Sequence, residues 1–100
     1  MDEMREHAGK VAALLKVLAN ENRLLIFCAL MKRPMTVGDI AGHVPAITQG
    51  ALSQHLGLLR AHGILDSRKS GQSITYSIAD IRVKEVLRVL RKQYCVDAER

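Results

Sequence analysis

An unbroken apolar run from Leu24 to Met31 constrains this chain more than any other stretch. It is far too short to cross a bilayer, which takes about 20 residues of helix. Asn20 supplies an N-cap before it and Pro34 a stop after it, so the stretch reads as a helix from roughly Glu21 to Lys32. A helix apolar nearly all round belongs at the centre of a fold. The rest of a 100-residue chain must therefore wrap it. Aromatic residues are only 3% and Trp is absent, so the wrapping is aliphatic, as in helices packed on helices. A hydrophobic share of 48% is ample for such a core, and the length allows one domain, residues 1–100. A chain this small also gains stability from a dimer interface.

The flanking segments carry their own punctuation. Val11, Leu14, Leu15 and Leu18 recur at helical spacing, which predicts an amphipathic first helix from about Asp2 to Leu18. Thr36 with Asp39 forms a capping-box pattern for a short helix to about His43, with Met35 and Ile40 in staple positions. Pro45 ends it. Thr48 caps another helix, Ile47 and Leu52 repeat the staple, and Gly63 is its stop. Two helices joined by a tight turn make a helix-turn-helix candidate. After Gly63 the period changes: from Gln72 to Ile78 apolar and small polar residues alternate, as in a strand. It pairs with Leu65 to Lys69 across a Ser70-Gly71 turn, giving a two-stranded hairpin. Asp80 caps a last helix with Val83, Val86, Leu87, Leu90 and Tyr94 on its apolar face. The fold expected is mainly α, about five helices with a small β-hairpin.

A formal net charge of +5 favours acidic partners such as nucleic acid. On the helix after Thr48, Leu52, Leu56 and Leu59 form the inward stripe, with His55 at its border. Gln49, Gly50, Ser53, Gln54, Gly57 and Arg60 face the other way. Short polar groups near a helix N-terminus suit major-groove entry, where they bond base edges and phosphates, so Thr48, Gln49, Gly50, Ser53, Gln54, His55 and Arg60 are the candidate DNA-binding residues of this helix. Gly50 and Gly57 lower helix propensity, which a close approach to another surface would explain. The plainer reading is an ordinary solvated helix face. At the hairpin tip, Arg68, Lys69 and Gln72 are placed to meet phosphates or a minor groove; the plainer reading is a charged edge that discourages strand pairing. The order of the elements favours DNA: helix, turn, helix, basic hairpin, closing helix.

From Leu14 to Asp80 the chain resembles the ArsR/SmtB family of winged helix-turn-helix repressors. The resemblance rests on Leu18-Ala19-Asn20-Glu21-Asn22-Arg23-Leu24, Leu52-Ser53-Gln54-His55-Leu56, Leu58 to Leu65, and Thr75-Tyr76-Ser77-Ile78, all in register. It implies a homodimer built from the first and last helices, bound to double-stranded DNA at an imperfect palindrome. Half-sites then lie about one helical turn, or a multiple, apart.

The family is known for metal sensing, but its usual ligands are missing. The Cys-x-Cys position reads Met35-Thr36-Val37-Gly38-Asp39, and Ile81 to Arg100 contains no His. Asp80, Glu85, Asp97 and Glu99 are scattered oxygen donors, and His7, His43, His55 and His62 form no ligand set by spacing. No metal and no cofactor is expected. Cys28 and Cys95 remain. Cys28 lies in the apolar helix, where a thiol often serves as a small hydrophobe. Cys95 follows Arg91 and Lys92, cations that favour a thiolate, against the helix dipole. The chain resembles a metal-free dithiol branch, the BigR, SqrR and HlyU group. That implies redox sensing by Cys28 and Cys95, with reactive sulfur species or an oxidant as effector.

Other readings compete. A thiol enzyme lacks an evident substrate pocket or oxyanion site. A winged helix serving only protein interaction would not need Gln49, Ser53, Gln54, Arg68 and Lys69. A metal at a non-standard site is a third. The charged opening MDEMREHAGK does not read as a secretion signal, and two distant cysteines do not make a disulfide scaffold. A cytoplasmic protein without a membrane segment is expected.

Overall fold

A computed structural model describes residues 2–95; Asp97 and Glu99 lie outside the described residues. The chain runs α1 (Asp2–Leu18), α2 (Glu21–Lys32), β1 (Met35–Thr36), α3 (Val37–Ala41), α4 (Gln49–Ala61), β2 (Leu65–Ser70), β3 (Ser73–Ile78) and α5 (Ile81–Tyr94). These five helices and an antiparallel sheet ordered β1-β3-β2 form a mainly α winged helix-turn-helix. No described helix is long and apolar enough to cross a membrane.

The helix starts follow the capping side chains. Asn20 Oδ1 accepts from the Arg23 amide at 3.1 Å, and Thr36 Oγ1 from the Asp39 amide at 3.2 Å. Thr48 Oγ1 accepts from Ala51 at 3.1 Å, and Asp80 Oδ1 from Arg82 at 2.8 Å. The box at Thr36 closes only halfway, because the Asp39 carboxylate lies 3.6 Å from Arg33 instead. Helix α4 ends in a Schellman motif: the Gly63 amide donates to Arg60 O and the Ile64 amide to Leu59 O, both at 3.0 Å. Gly63 takes φ +74° to allow it, and Leu59 and Ile64 are both buried, completing the motif's apolar contact.

Ile26, Phe27, Leu30, Leu52, Leu56 and Leu59 anchor one buried cluster that α2 and α4 share with the sheet and α5. Three expectations change. The sheet has three strands, because Met35 pairs with Tyr76 and Thr36 with Thr75. A two-residue strand is too short for alternation to reveal. The hairpin turn is Gly71-Gln72, one residue later than expected, since Ser70 pairs with Ser73. Gly71 has φ +62° while Gln72, like every non-glycine among the described residues, keeps negative φ, the pattern of a type II′ turn. Finally, α2 is not enclosed all round. Leu25 is 44% exposed, and Leu24, Cys28 and Met31 are half-buried. The apolar faces of α1 and α5 are also left open in the single chain: Leu15 is 50% exposed, and Leu90 and Tyr94 are 42% and 85% exposed.

Candidate nucleic-acid interface and thiol groove

Burying Leu52, Leu56 and Leu59 rolls the opposite face of α4 outward, so Gln49, Gly50, Ser53, Gln54, Gly57 and Arg60 are all exposed. No acidic residue occupies α4. Neither outward glycine is demanded by packing. A Cβ on Gly57 would meet nothing within 4 Å, and one on Gly50 only Thr48 Oγ1 at 4.0 Å. Thr48 is exposed as well, with its hydroxyl accepting the Ala51 cap bond. Across the sheet, Arg68, Lys69 and Gln72 are exposed at the wing tip. Among the described residues, Arg60, Arg68 and Lys69 have no salt-bridge partner, so their charge faces solvent.

His55 departs from the expected picture. It is half-buried, and its Nδ1 accepts from Arg23 Nε at 3.2 Å. One edge of the ring is thus committed inside the protein. Burial, then the Arg23 charge, holds its pKa below the ordinary histidine value. His43 lies away from α4's outer face, with Nδ1 3.0 Å from Asp39 O, and His62 caps the end of α4.

The two cysteines come together. Cys28, Arg91 and Cys95 line both of two adjoining hollows of about 270 and 230 Å³ between α2 and the end of α5. Lys32 and His43 border the first, Leu24 and Leu90 the second. Both thiols are free; Cys28 is half-buried and Cys95 exposed. Burial raises the Cys28 pKa, Arg91 and Lys32 oppose the rise, and Cys95 adds to it. Cys95 is the C-cap of α5 rather than part of its body, with its amide donating to Arg91 O at 2.7 Å. Among the described residues, no three His, Cys, Asp or Glu side chains gather as a metal site.

Residues 20–67, which span the helix-turn-helix and the first part of β2, match the model of the bacterial regulatory protein, arsR family. The transcriptional activator HlyU of Vibrio cholerae is 37% identical over 95 residues, covering 95% of this chain and 87% of the relative. The chain belongs to the arsR family. The solved structure of reduced HlyU from Vibrio cholerae superposes with a TM-score of 0.86 at 37% identity, over 95% of this chain and 99% of that one. The transcriptional repressor BigR from Xylella fastidiosa gives 0.86 at 32% identity, over 94% and 95%. As an arsR-family protein, this is a DNA-binding transcriptional regulator.

Sequence reasoning missed the roles of Arg23, Lys32 and His43. Arg23 was visible only as part of a motif; nothing local shows that its side chain reaches a histidine 32 positions away. Lys32 and His43 lie on separate elements, and only the packing of α3 beside α2 brings them to one hollow.

Proposed function

We propose that this chain is a homodimeric, sequence-specific repressor in which one domain carries both DNA binding and dimerisation. The observation that carries the reading is the division of its surface. The outer face of α4 is polar and glycine-bearing, with cations at the wing, whereas α1 and α5 leave Val11, Leu15, Val89 and Leu90 uncovered. A second copy covering those helices would set two α4 helices side by side for an imperfect palindrome. Thr48, Gln49, Gly50, Ser53, Gln54 and Arg60 enter the major groove, and Arg68, Lys69 and Gln72 meet the flanking backbone.

Cys28 and Cys95 supply the switch. Peroxide would oxidise the pair by two electrons, joining the sulfurs and leaving two waters. A polysulfide would do so in two displacements: one thiolate takes a sulfane sulfur and releases hydrosulfide, and the other thiolate then attacks the inner sulfur of that persulfide and releases a second hydrosulfide. The groove they share supports this reading, because it lies between α2, whose Ile26 and Phe27 share the buried cluster with Leu52, Leu56 and Leu59 of α4, and α5, whose Val89 and Leu90 are uncovered. In vitro selection from random duplexes tests the DNA half: a palindromic operator should emerge and bind more weakly as salt rises. Adding polysulfide or peroxide to wild type, Cys28→Ser and Cys95→Ser tests the other half. Release of DNA by wild type alone is expected; equal responses from all three would reject thiol control. A second reading has support in the relatives, since HlyU is described as an activator and BigR as a repressor. Activation by displacing another DNA-bound protein would appear as operator overlap with that protein's site.

A further inference from the structure

Arg23 makes three bonds that tie together three helices. Its amide completes the α2 cap on Asn20, its Nη1 donates to Val17 O at 3.0 Å, and its Nε donates to His55 Nδ1 at 3.2 Å. Val17 O is among the last carbonyls of α1, which lack partners within their own helix. The guanidinium is planar and offers donors at fixed angles, so a bond at one edge constrains the other.

Arginine does not give up its proton, so the Arg23–His55 contact has only one sense: Nδ1 is the acceptor. A neutral imidazole with Nδ1 as acceptor carries its proton on Nε2. Among the described residues no protein group bonds Nε2, and no buried polar side-chain atom lacks a partner. Nε2–H is therefore open to solvent, at the border of the face that carries Gln54 and Ser53.

We propose that Arg23 is a positioning residue for DNA binding: it locks His55 as the Nε2–H tautomer and directs that N–H toward a DNA phosphate. The inference rests on α4 being the DNA-reading helix. It gives the α1–α2 corner a direct hold on one donor of that helix. A neutral donor there adds a directional contact without the long-range pull of Arg60. Arg23 touches no DNA in this account; His55 does.

Nitrogen-15 NMR of the histidine rings in the reduced wild-type protein tests the lock without any substitution, His55 being assigned by loss of its signals in His55→Asn. The expected result is an unprotonated Nδ1 and a protonated Nε2, with Nε2–H shifting when the selected operator duplex is added. A protonated Nδ1, or an Nε2–H indifferent to the duplex, overturns the proposal. His55→Asn keeps an acceptor near the Nδ1 position and removes the outward donor. It should bind the operator on the order of tenfold more weakly, as for a lost bond to a charged group; wild-type affinity would overturn the donor role. Arg23→Gln should give mixed tautomers together with weaker binding, and a pure Nε2–H tautomer in that variant would overturn the lock. Gln54→Ala separates the two readings. If it weakens binding while His55→Asn does not, only this inference fails; if neither weakens it, α4 is not the reading helix.

Discussion

Helices α4 and α5 are of similar length but present opposite surfaces. Helix α4 buries a leucine stripe and turns polar side chains and glycines outward. Helix α5 buries Val83 and Leu87, yet leaves Ile81, Val89, Leu90 and Tyr94 exposed. One helix leaves only Leu58 of its large apolar side chains exposed, at 38%, and its outer face suits a hydrated, charged partner. The other has apolar surface left over after the core is filled, and α1 shares that condition through Val11 and Leu15. A polar exposed face and an apolar exposed face call for different partners, and substitutions on each should fail in different ways.

The largest effect is expected where α4 meets the core. Leu56→Ala, at a fully buried position, should lower unfolding free energy by about 2–5 kcal/mol in urea titration. A loss below about 1 kcal/mol would mean that α4 is not anchored as described. Next comes α5. Leu90→Asp should convert dimer to monomer in sedimentation velocity and weaken operator binding, with the helical circular dichroism retained. A dimer that persists would shift the interface away from α5. Arg68→Ala and Lys69→Ala should each weaken DNA binding at every sequence and reduce the salt slope by about one; an unchanged slope would remove the wing from the interface. Gly57→Ala sharpens the contrast further. In open space on a helix it should stabilise the fold by roughly 0.8–1 kcal/mol, while lowering operator affinity if DNA approaches closely there. A variant that gains stability and keeps full affinity would make Gly57 an ordinary surface residue.

The smallest effects are in pH. His55 is held neutral in the folded chain, so the unfolded chain binds more protons just below its ordinary value of about 6.5. Stability should be complete above that value and decline as pH falls through the lowered folded pKa. Cys28 is raised by burial, so the sign reverses. Its contribution is complete below the ordinary thiol range and declines as pH rises through the raised value. Reduced wild type against Cys28→Ser, melted across alkaline pH, isolates that decline; parallel curves would show that Cys28 does not contribute it.

The starts of α2 to α5 were legible because each is written locally, as an oxygen-bearing side chain two or three residues before the amide it caps, and the end of α4 as a glycine where φ turns positive. The wing was legible from alternation at Ser73–Ile78. What escaped was written across distance. Met35–Thr36 becomes a strand only because β3 lies beside it, and His55 loses an edge only because Arg23 arrives from α2. Leu25 and Leu90 are as apolar as core residues, and composition cannot tell a core from an interface. The cysteines were singled out as a pair from family resemblance alone; their separation along the chain does not announce the groove they share.

The two-residue strand β1 has one more consequence. It begins three residues after α2 ends and is bonded to β3, the inner strand of the wing. The wing is therefore no pendulum on a loose tether. It is geared to the foot of α2, so a tilt of that helix around Cys28 would swing Arg68 and Lys69 with it. If α4 and the wing hold DNA as proposed, such a tilt would loosen grip at the flanks of each half-site together with its centre.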